Sequence, residues 1–451
     1  MTETLAWETF RATDFARSPA FLQGNRLQCG QIGLTSALAR STVPSVPPKK
    51  PAAVNLLMRP PVTDLPATAS PRDILARLVA FDTVSTNANL PLLQWSADWL
   101  AQSGVDAVVV EGGDPGKGGL YAHVGPRVDG GVLLSGHTDV VPVEGQSWDS
   151  DPFVLTEKAG RLYGRGTCDM KGFDALALWA IAAAARQGVR RPLQIALTRD
   201  EEIGCLGAPE LIEAMRDAGL PKASAAIIGE PSEMRVVTGH KGNLGYLVKA
   251  RGFEVHSSLM HTGVSAVMES ARLIAWAHAC NAENAVAPRS EVAALFDPPW
   301  TTLHAGTFQG GTAGNITALD AEFLFDFRFV PGDDIPTWID RFMSRIAQIE
   351  AEMQAIRPGT GFTCEEQFNV PPLKPEVDGE AEALARRLTG DNGTHVVAYA
   401  TEGGQYQDGG YSAVICGPGN IAQAHQPNEY LEISELERGE VFMRDLLKTL
   451  G

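Results

Sequence analysis

Val132-Leu-Leu-Ser-Gly-His-Thr-Asp139 is the stretch on which the reading of this chain turns. A short apolar run gives way at Ser135 and Gly136 and delivers a histidine and, two residues on, an aspartate. That pattern reads as a strand buried on both faces with polar groups at its carboxyl end. Residues 107–110, 193–198 and 225–228 have the same apolar form, and helical patterns at 173–187 and 209–218 lie between them. Upstream, Ile74, Leu75, Leu78, Val79 and Phe81 mark an amphipathic helix, and a second follows at 92–103. Alternating β and α elements predict an α/β fold, a mostly parallel sheet covered by helices.

The texture changes after Gly239. Residues 244–250 read as a strand and 264–278 as a helix. At 321–329, Phe323, Phe325, Phe327 and Phe329 alternate with Glu322, Asp326 and Arg328. A period of two marks a half-buried antiparallel strand. Helices return at 336–356 and 380–388, and a last strand at 413–416 runs into a glycine-rich loop. A smaller α+β domain over 239–367 is therefore expected as an insertion in a discontinuous domain formed by 71–238 and 368–451. Residues 1–70, broken by Pro44, Pro47, Pro48, Pro51, Pro60, Pro61 and Pro66, are expected to be a disordered extension, with translation starting near Met58 as one explanation.

A chain of 451 residues exceeds what one core usually supports, which fits this division. Its net charge of -17 repels phosphate backbones and anionic headgroups, so nucleic acid and membrane surfaces are not expected partners. Six scattered cysteines suit reduced thiols in a cytoplasm, and the apolar run at 175–185 is too short to span a bilayer.

In open parallel sheets, ligands bind beyond the carboxyl ends of the strands. His137 and Asp139 follow the 132–135 strand, Glu201 and Glu202 follow 193–198, Glu230 follows 225–228 and His425 follows 413–416. Asp169 precedes the 173–187 helix. Imidazoles with carboxylates and few sulfurs suit an open catalytic site for zinc or a related divalent ion rather than a structural zinc finger. With Asp169 as a bridge, His137, Glu202, Glu230 and His425 suffice for two ions. Asp139 is placed to accept the His137 imidazole N–H. Adjacent side chains of an extended backbone point opposite ways, so Glu202 can bind metal while Glu201 acts as general base in metal-assisted hydrolysis.

The segments Ser135-Gly-His-Thr-Asp139, Gly164-Arg-Gly-Thr-Cys-Asp-Met-Lys-Gly172, Asp200-Glu-Glu-Ile-Gly204, Gly229-Glu-Pro-Ser232 and His425 resemble the signature set of the dizinc metallopeptidase-like amidohydrolases. The resemblance runs from about Pro71 to the C-terminus. It implies a zinc-dependent exopeptidase-like fold with an inserted lid and dimerisation domain. It also implies one zinc on His137, Asp169 and Glu230, another on Asp169, Glu202 and His425, and Glu201 as base. Cobalt is a possible substitute for zinc.

Phe296-Asp-Pro-Pro-Trp-Thr-Thr302, Gln309-Gly-Gly-Thr-Ala-Gly-Asn-Ile316, Thr401-Glu-Gly-Gly-Gln-Tyr-Gln407 and Cys416-Gly-Pro-Gly-Asn-Ile-Ala-Gln-Ala-His425 look most like the acetylornithine deacetylase branch. A small N-acyl amino acid is accordingly the expected substrate, and a homodimer through the lid the expected assembly. Relatives accepting other acyl groups or dipeptides, and a non-catalytic metal-binding protein, are the alternatives. Arg199, Gly403 and Ser265 depart from the usual pattern. His256 matches a lid histidine that stabilises the oxyanion, often across a subunit boundary; a surface histidine near a turn is the plain alternative. Asn315 could add an amide donor or simply form a turn. Arg328 could grip a carboxylate or pair with Glu322 or Asp326, and Glu402 could read an ammonium group or cap a loop.

Overall fold

The computed structural model describes residues 65–451. The expected extension lies outside the described residues as far as position 64, as does the proposed start at Met58. Residues 65–70 are docked on the fold. Ala69 is buried, Trp99 Nε1 donates to the Pro66 carbonyl at 3.1 Å, and Ser70 and Asp73 cap the helix Pro71–Val79 reciprocally.

Val132–His137 lies inside an eight-stranded sheet. The order is Ala107–Glu111, Gly118–Val124, Leu193–Thr198, Val132–His137, Ala225–Pro231, Ser412–Gly417, Val237–His240 and His395–Val397. Val132 stands opposite Leu193 on one side and Ala225 on the other, both parallel, and Ala225–Pro231 pairs parallel with Ser412–Gly417. Antiparallel pairings flank this group, through Gly118–Val124 on one side and Val237–His240 on the other. The sheet is mixed and mostly parallel. Three of its strands, Gly118–Val124, Val237–His240 and His395–Val397, escaped the sequence reading because they are short or begin on glycines, which carry little strand preference.

Alternation divides the buried side chains between two faces. Leu134, Ile195, Ile227 and Val414 pack against the helices Pro71–Val79, Lys171–Gln187 and Ile433–Leu450. Leu133, Ala196, Ile228 and Ile415 pack with Leu211 and Met215 of Gly207–Asp217 and with Tyr406 of Gly403–Asp408. Burial on both faces is what made these strands read as continuous apolar runs. Among the described residues no helix is long and apolar enough to cross a membrane.

The second sheet has four antiparallel strands in the order Thr302–Gly310, Asp320–Phe329, Gly242–Arg251, Gly361–Val370. Phe323, Phe325, Phe327 and Phe329 are buried on one face with Phe342, Ile346 and Ile349 of the helix Ile335–Ile356. Leu273 and Ala277 of the helix Ala266–Val286 join them. Ser265 caps that helix, its Oγ accepting from Met268 N at 3.4 Å.

Candidate metal centre

The parallel strands deliver their carboxyl ends to one edge of the large sheet. His137 closes its strand, and Glu230 is the penultimate residue of Ala225–Pro231. Asp169 stands just before the helix Lys171–Gln187. His425 lies in the loop after Ser412–Gly417 with φ +61°, in the left-handed region.

Asp169 sits between the two imidazoles. Its Oδ1 is 3.0 Å from His137 Nε2, and its Oδ2 is 3.3 Å from His425 Nε2. Glu230 Oε1 lies 3.6 Å from His137 Nε2, and Glu202 Oε2 lies 3.0 Å from His425 Nε2. Possible ligand atoms of His137, Asp169 and Glu202 fall within 4.8 Å of one another, as do those of His137, Glu201 and Glu230. The structure thus brings the six residues together, with Asp169 central.

Two details differ from expectation. His137 Nδ1 donates to the main-chain carbonyl of Asp139 at 2.9 Å, while its distance to the Asp139 carboxylate is 3.7 Å. The carboxylate instead accepts from Glu201 N at 3.1 Å, Glu202 N at 3.3 Å and Ser85 Oγ at 2.7 Å. Asp139 therefore orients the ring with its backbone and clasps the acidic pair with its side chain. The pair itself is in a turn entered through Asp200 at φ +54°, not in extended backbone. Turn geometry, held by Asp139, separates the two side chains: Glu202 faces His425, while Glu201 Oε1 accepts from the Cys205 thiol at 3.2 Å.

So many buried carboxylates cannot all ionise comfortably. Burial, reinforced by Glu202 and Asp169, pushes Glu201 up to about 8. Burial and Asp169 push Glu202 up to about 7, and Glu230 rises well above its usual range for the same reasons. Burial opposes ionisation of Asp169 too, yet hydrogen bonds from His137 and His425 hold it below the usual carboxylate range. Those to Asp169 and Glu202 raise His425 to about 10. Glu202 Oε1 is buried without a hydrogen-bond partner. Crowded oxygen and nitrogen donors with an orphaned oxygen fit a pair of divalent cations, which would replace the missing protons.

His256, Asn315 and Arg328 are set apart from the cluster, whereas Glu402 is buried within electrostatic reach of Glu201 and His137. His256 is exposed, its Nδ1 accepting from Ser258 N at 3.2 Å across the short helical turn Ser257–Thr262. Asn315 is exposed beside it, its main-chain carbonyl accepting from Ser257 N at 2.8 Å. Arg328 is partly exposed, with Asp326 Oδ2 3.8 Å from its Nε. Among the described residues none of these three bonds to the metal cluster. Glu402 is buried at the start of the helix Gly403–Asp408, its Oε1 unpartnered, and burial raises it to about 7.

Lys117 and Cys205 were not singled out by motif. Lys117 Nζ donates to Asp200 Oδ1 at 2.6 Å and to the Ser85 carbonyl at 2.5 Å, fixing the acidic turn. No spacing rule flags a lone lysine or cysteine that becomes important only through folding. Arg199 is neutralised by Asp200 at 2.5 Å and Glu210 at 2.6 Å. At Gly403 a Cβ would meet Leu373, His240 and Thr401 at 3.2–3.3 Å, a tight fit for anything larger.

Imidazoles and carboxylates gathered at the carboxyl edge of a mostly parallel sheet are the donor set of an open divalent-metal site. Residues 133–449 match the model of Peptidase family M20/M25/M40, and the chain belongs to that family. It is 33% identical over 385 residues to the acetylornithine deacetylase of Myxococcus xanthus, covering 82% of this chain and 95% of that one. It is 32% identical over 370 residues to the acetylornithine deacetylase of Proteus mirabilis, covering 82% and 92%. Among solved structures, the M20 metallo-carboxypeptidase Sso-CP2 of Sulfolobus solfataricus matches with a TM-score of 0.69 at 19% identity, over 84% of this chain and 99% of that one. Human carnosine dipeptidase 1 matches with a TM-score of 0.63 at 17% identity, over 84% and 96%.

Proposed function

We propose that this metallohydrolase removes the acetyl group of N-acetyl-L-ornithine, giving L-ornithine and acetate. The observation that carries the reading is the near full-length similarity to relatives named acetylornithine deacetylase. His137, Asp169 and Glu230 would hold one ion and Asp169, Glu202 and His425 the other, zinc or in its place cobalt. When bound, the ions would polarise the amide carbonyl and acidify water. Glu201 then takes the proton of the attacking water and returns it to the departing nitrogen. Its burial beside the cluster suits it to that exchange, and the Cys205 thiol, donating to Oε1, holds its carboxylate in place. His256 and Asn315 supply donors to the developing oxyanion, and Arg328 and Glu402 read the amino-acid carboxylate and ammonium groups.

His256 can serve this way only if something brings it to the metal edge, and a second copy of the chain meeting through the lid is the economical means. The edge strand Thr302–Gly310 is largely exposed, with Phe308 at 40%, and Met268 at 54% lies on the adjoining helix. An unpaired edge beside apolar side chains is a ready pairing surface. Free cysteines at 168, 205, 280, 364 and 416 accord with a reducing, cytoplasmic setting.

The test is turnover, with zinc, of N-acetylornithine, N-succinyl-diaminopimelate and a set of dipeptides. N-acetylornithine should have the highest kcat/KM; its failure to react while another amide does would reassign the substrate and keep the chemistry.

A further inference from the structure

The loop carrying Asp169 is gathered from behind onto one carboxylate that takes no part in the cluster. Glu429 is 1% exposed, as is the Arg165 side chain facing it. Its Oε1 accepts from Cys168 N at 2.9 Å and Asp169 N at 3.1 Å. Its Oε2 accepts from Gly166 N at 3.1 Å and Arg165 Nη1 at 2.6 Å. The Glu429 carbonyl also accepts from Gly164 N at 3.0 Å. Buried N–H groups without acceptors are costly, so this convergence fixes the path of residues 164–169. Charge-assisted bonds are the strong members of the set.

Arg165 extends the network to the other side of the cluster. Its Nη2 donates to Gln146 Oε1 at 2.6 Å, and Gln146 Nε2 donates to the His425 carbonyl at 3.0 Å. The guanidinium lies over the Trp148 ring, 5.1 Å from its centroid. A continuous path therefore runs from Asp169 through Glu429, Arg165 and Gln146 to His425. His425 is the member of the cluster most in need of such support. Its side chain is 50% exposed and its backbone occupies the left-handed region, which costs a residue with a Cβ.

We propose that Glu429 is a positioning residue: with Arg165 and Gln146 it sets the span between the Asp169 carboxylate and the His425 imidazole, and so the affinity for the ion shared by Asp169, Glu202 and His425. This rests on the reading of those residues as ligands. Partners that orient ligands typically contribute about 10- to 100-fold in metal affinity. The network acts unequally, because its Asp169 end is shared by both ions whereas its His425 end serves only one.

The test is zinc titration of the metal-stripped full chain by calorimetry, with bound metal counted by mass spectrometry and the thermal midpoint followed in parallel. Wild type should take up two ions per chain. Glu429→Gln should bind the ion on His425 at least about tenfold more weakly and the other, which shares only Asp169 with the network, more weakly by a smaller factor. Gln146→Ala, which removes the link from Arg165 and Trp148 to His425 but leaves Glu429 on the Asp169 loop, should weaken the same ion by less. Glu429→Asp should recover part of the loss. Two ions bound with wild-type affinities by both Glu429→Gln and Gln146→Ala would overturn the proposal and leave the ligand assignment standing. Fewer than two ions on the wild type would instead remove the assignment itself. Lower thermal midpoints with an unchanged ratio of affinities would reduce the network to a structural staple, which also overturns it. If Glu429→Gln does not fold, Gln146→Ala decides between these outcomes.

Discussion

At the edge of the large sheet, His137, Asp169 and Glu230 are each no more than 5% exposed, and every one of them already has a partner within the chain. On the small sheet's side, His256 and Asn315 stand in solvent and bond mainly to their own turn. One region is organised before any ligand arrives. The other carries the proposed oxyanion donors, which bond to none of the cluster residues among the described residues. Burial is the cause of the difference: the desolvated edge must satisfy its charges internally, whereas the exposed groups are satisfied by water. A buried edge can hold metal alone, but oxyanion stabilisation by the lid requires a rearrangement or a second chain.

The comparison can be broken most severely at the buried edge. Stripping the metal with a chelator should abolish hydrolysis, and zinc or cobalt should restore it; activity surviving with no bound metal would end the metallohydrolase mechanism. Glu201→Gln should lower kcat by about 100- to 10,000-fold while the protein still binds its metals. Near wild-type turnover by that variant would remove Glu201 as the base.

The exposed region should respond next. His256→Ala should cost about 100- to 1,000-fold in kcat, as loss of one oxyanion donor does. A change under about twofold would return His256 to the role of capping its turn. Phe308→Asp should shift the assembly toward monomer in light scattering and lower activity with it, because it charges the exposed edge. Full activity from a monomer would show that the lid groups act within one chain.

The smallest effect concerns the junction between the regions. His240 ends a strand of the large sheet, accepts from Gly404 N at 3.1 Å through Nε2 and donates from Nδ1 to the Lys241 carbonyl at 2.9 Å. Burial lowers it from 6.5 to about 4. The unfolded chain therefore binds more protons between these values, so its contribution is full above pH 6.5 and is lost as pH falls toward 4. The loss should amount to about 3 kcal/mol. Denaturant midpoints from pH 7 to 4 should show it, and a His240→Gln variant with an unchanged slope would refute it.

The hydrophobic pattern carried much of this architecture in plain view. Val132–His137, Leu193–Thr198 and Ala225–Pro231 were legible because strands buried on both faces must be apolar throughout. Phe323, Phe325, Phe327 and Phe329 were legible because a strand with one wet face must alternate. Gly118–Val124 was not, because glycine adjacency conceals a strand whose place depends on pairing with Leu193–Thr198. The metal cluster was readable as residue types at strand ends, while the turn that separates Glu201 from Glu202 was not, since it depends on Asp139 reaching across 62 positions.

By itself, then, the sequence determined which residues could carry the chemistry and which strands would bring them to one edge, because apolar periodicity and residue type are local properties. Only the tertiary structure decided that the Asp139 backbone and not its carboxylate holds the His137 ring, that Cys205 meets Glu201, and that Glu429 gathers the Asp169 loop. Each of these is a contact between groups whose need for a partner arises only when water is removed, and burial is a property of the whole fold.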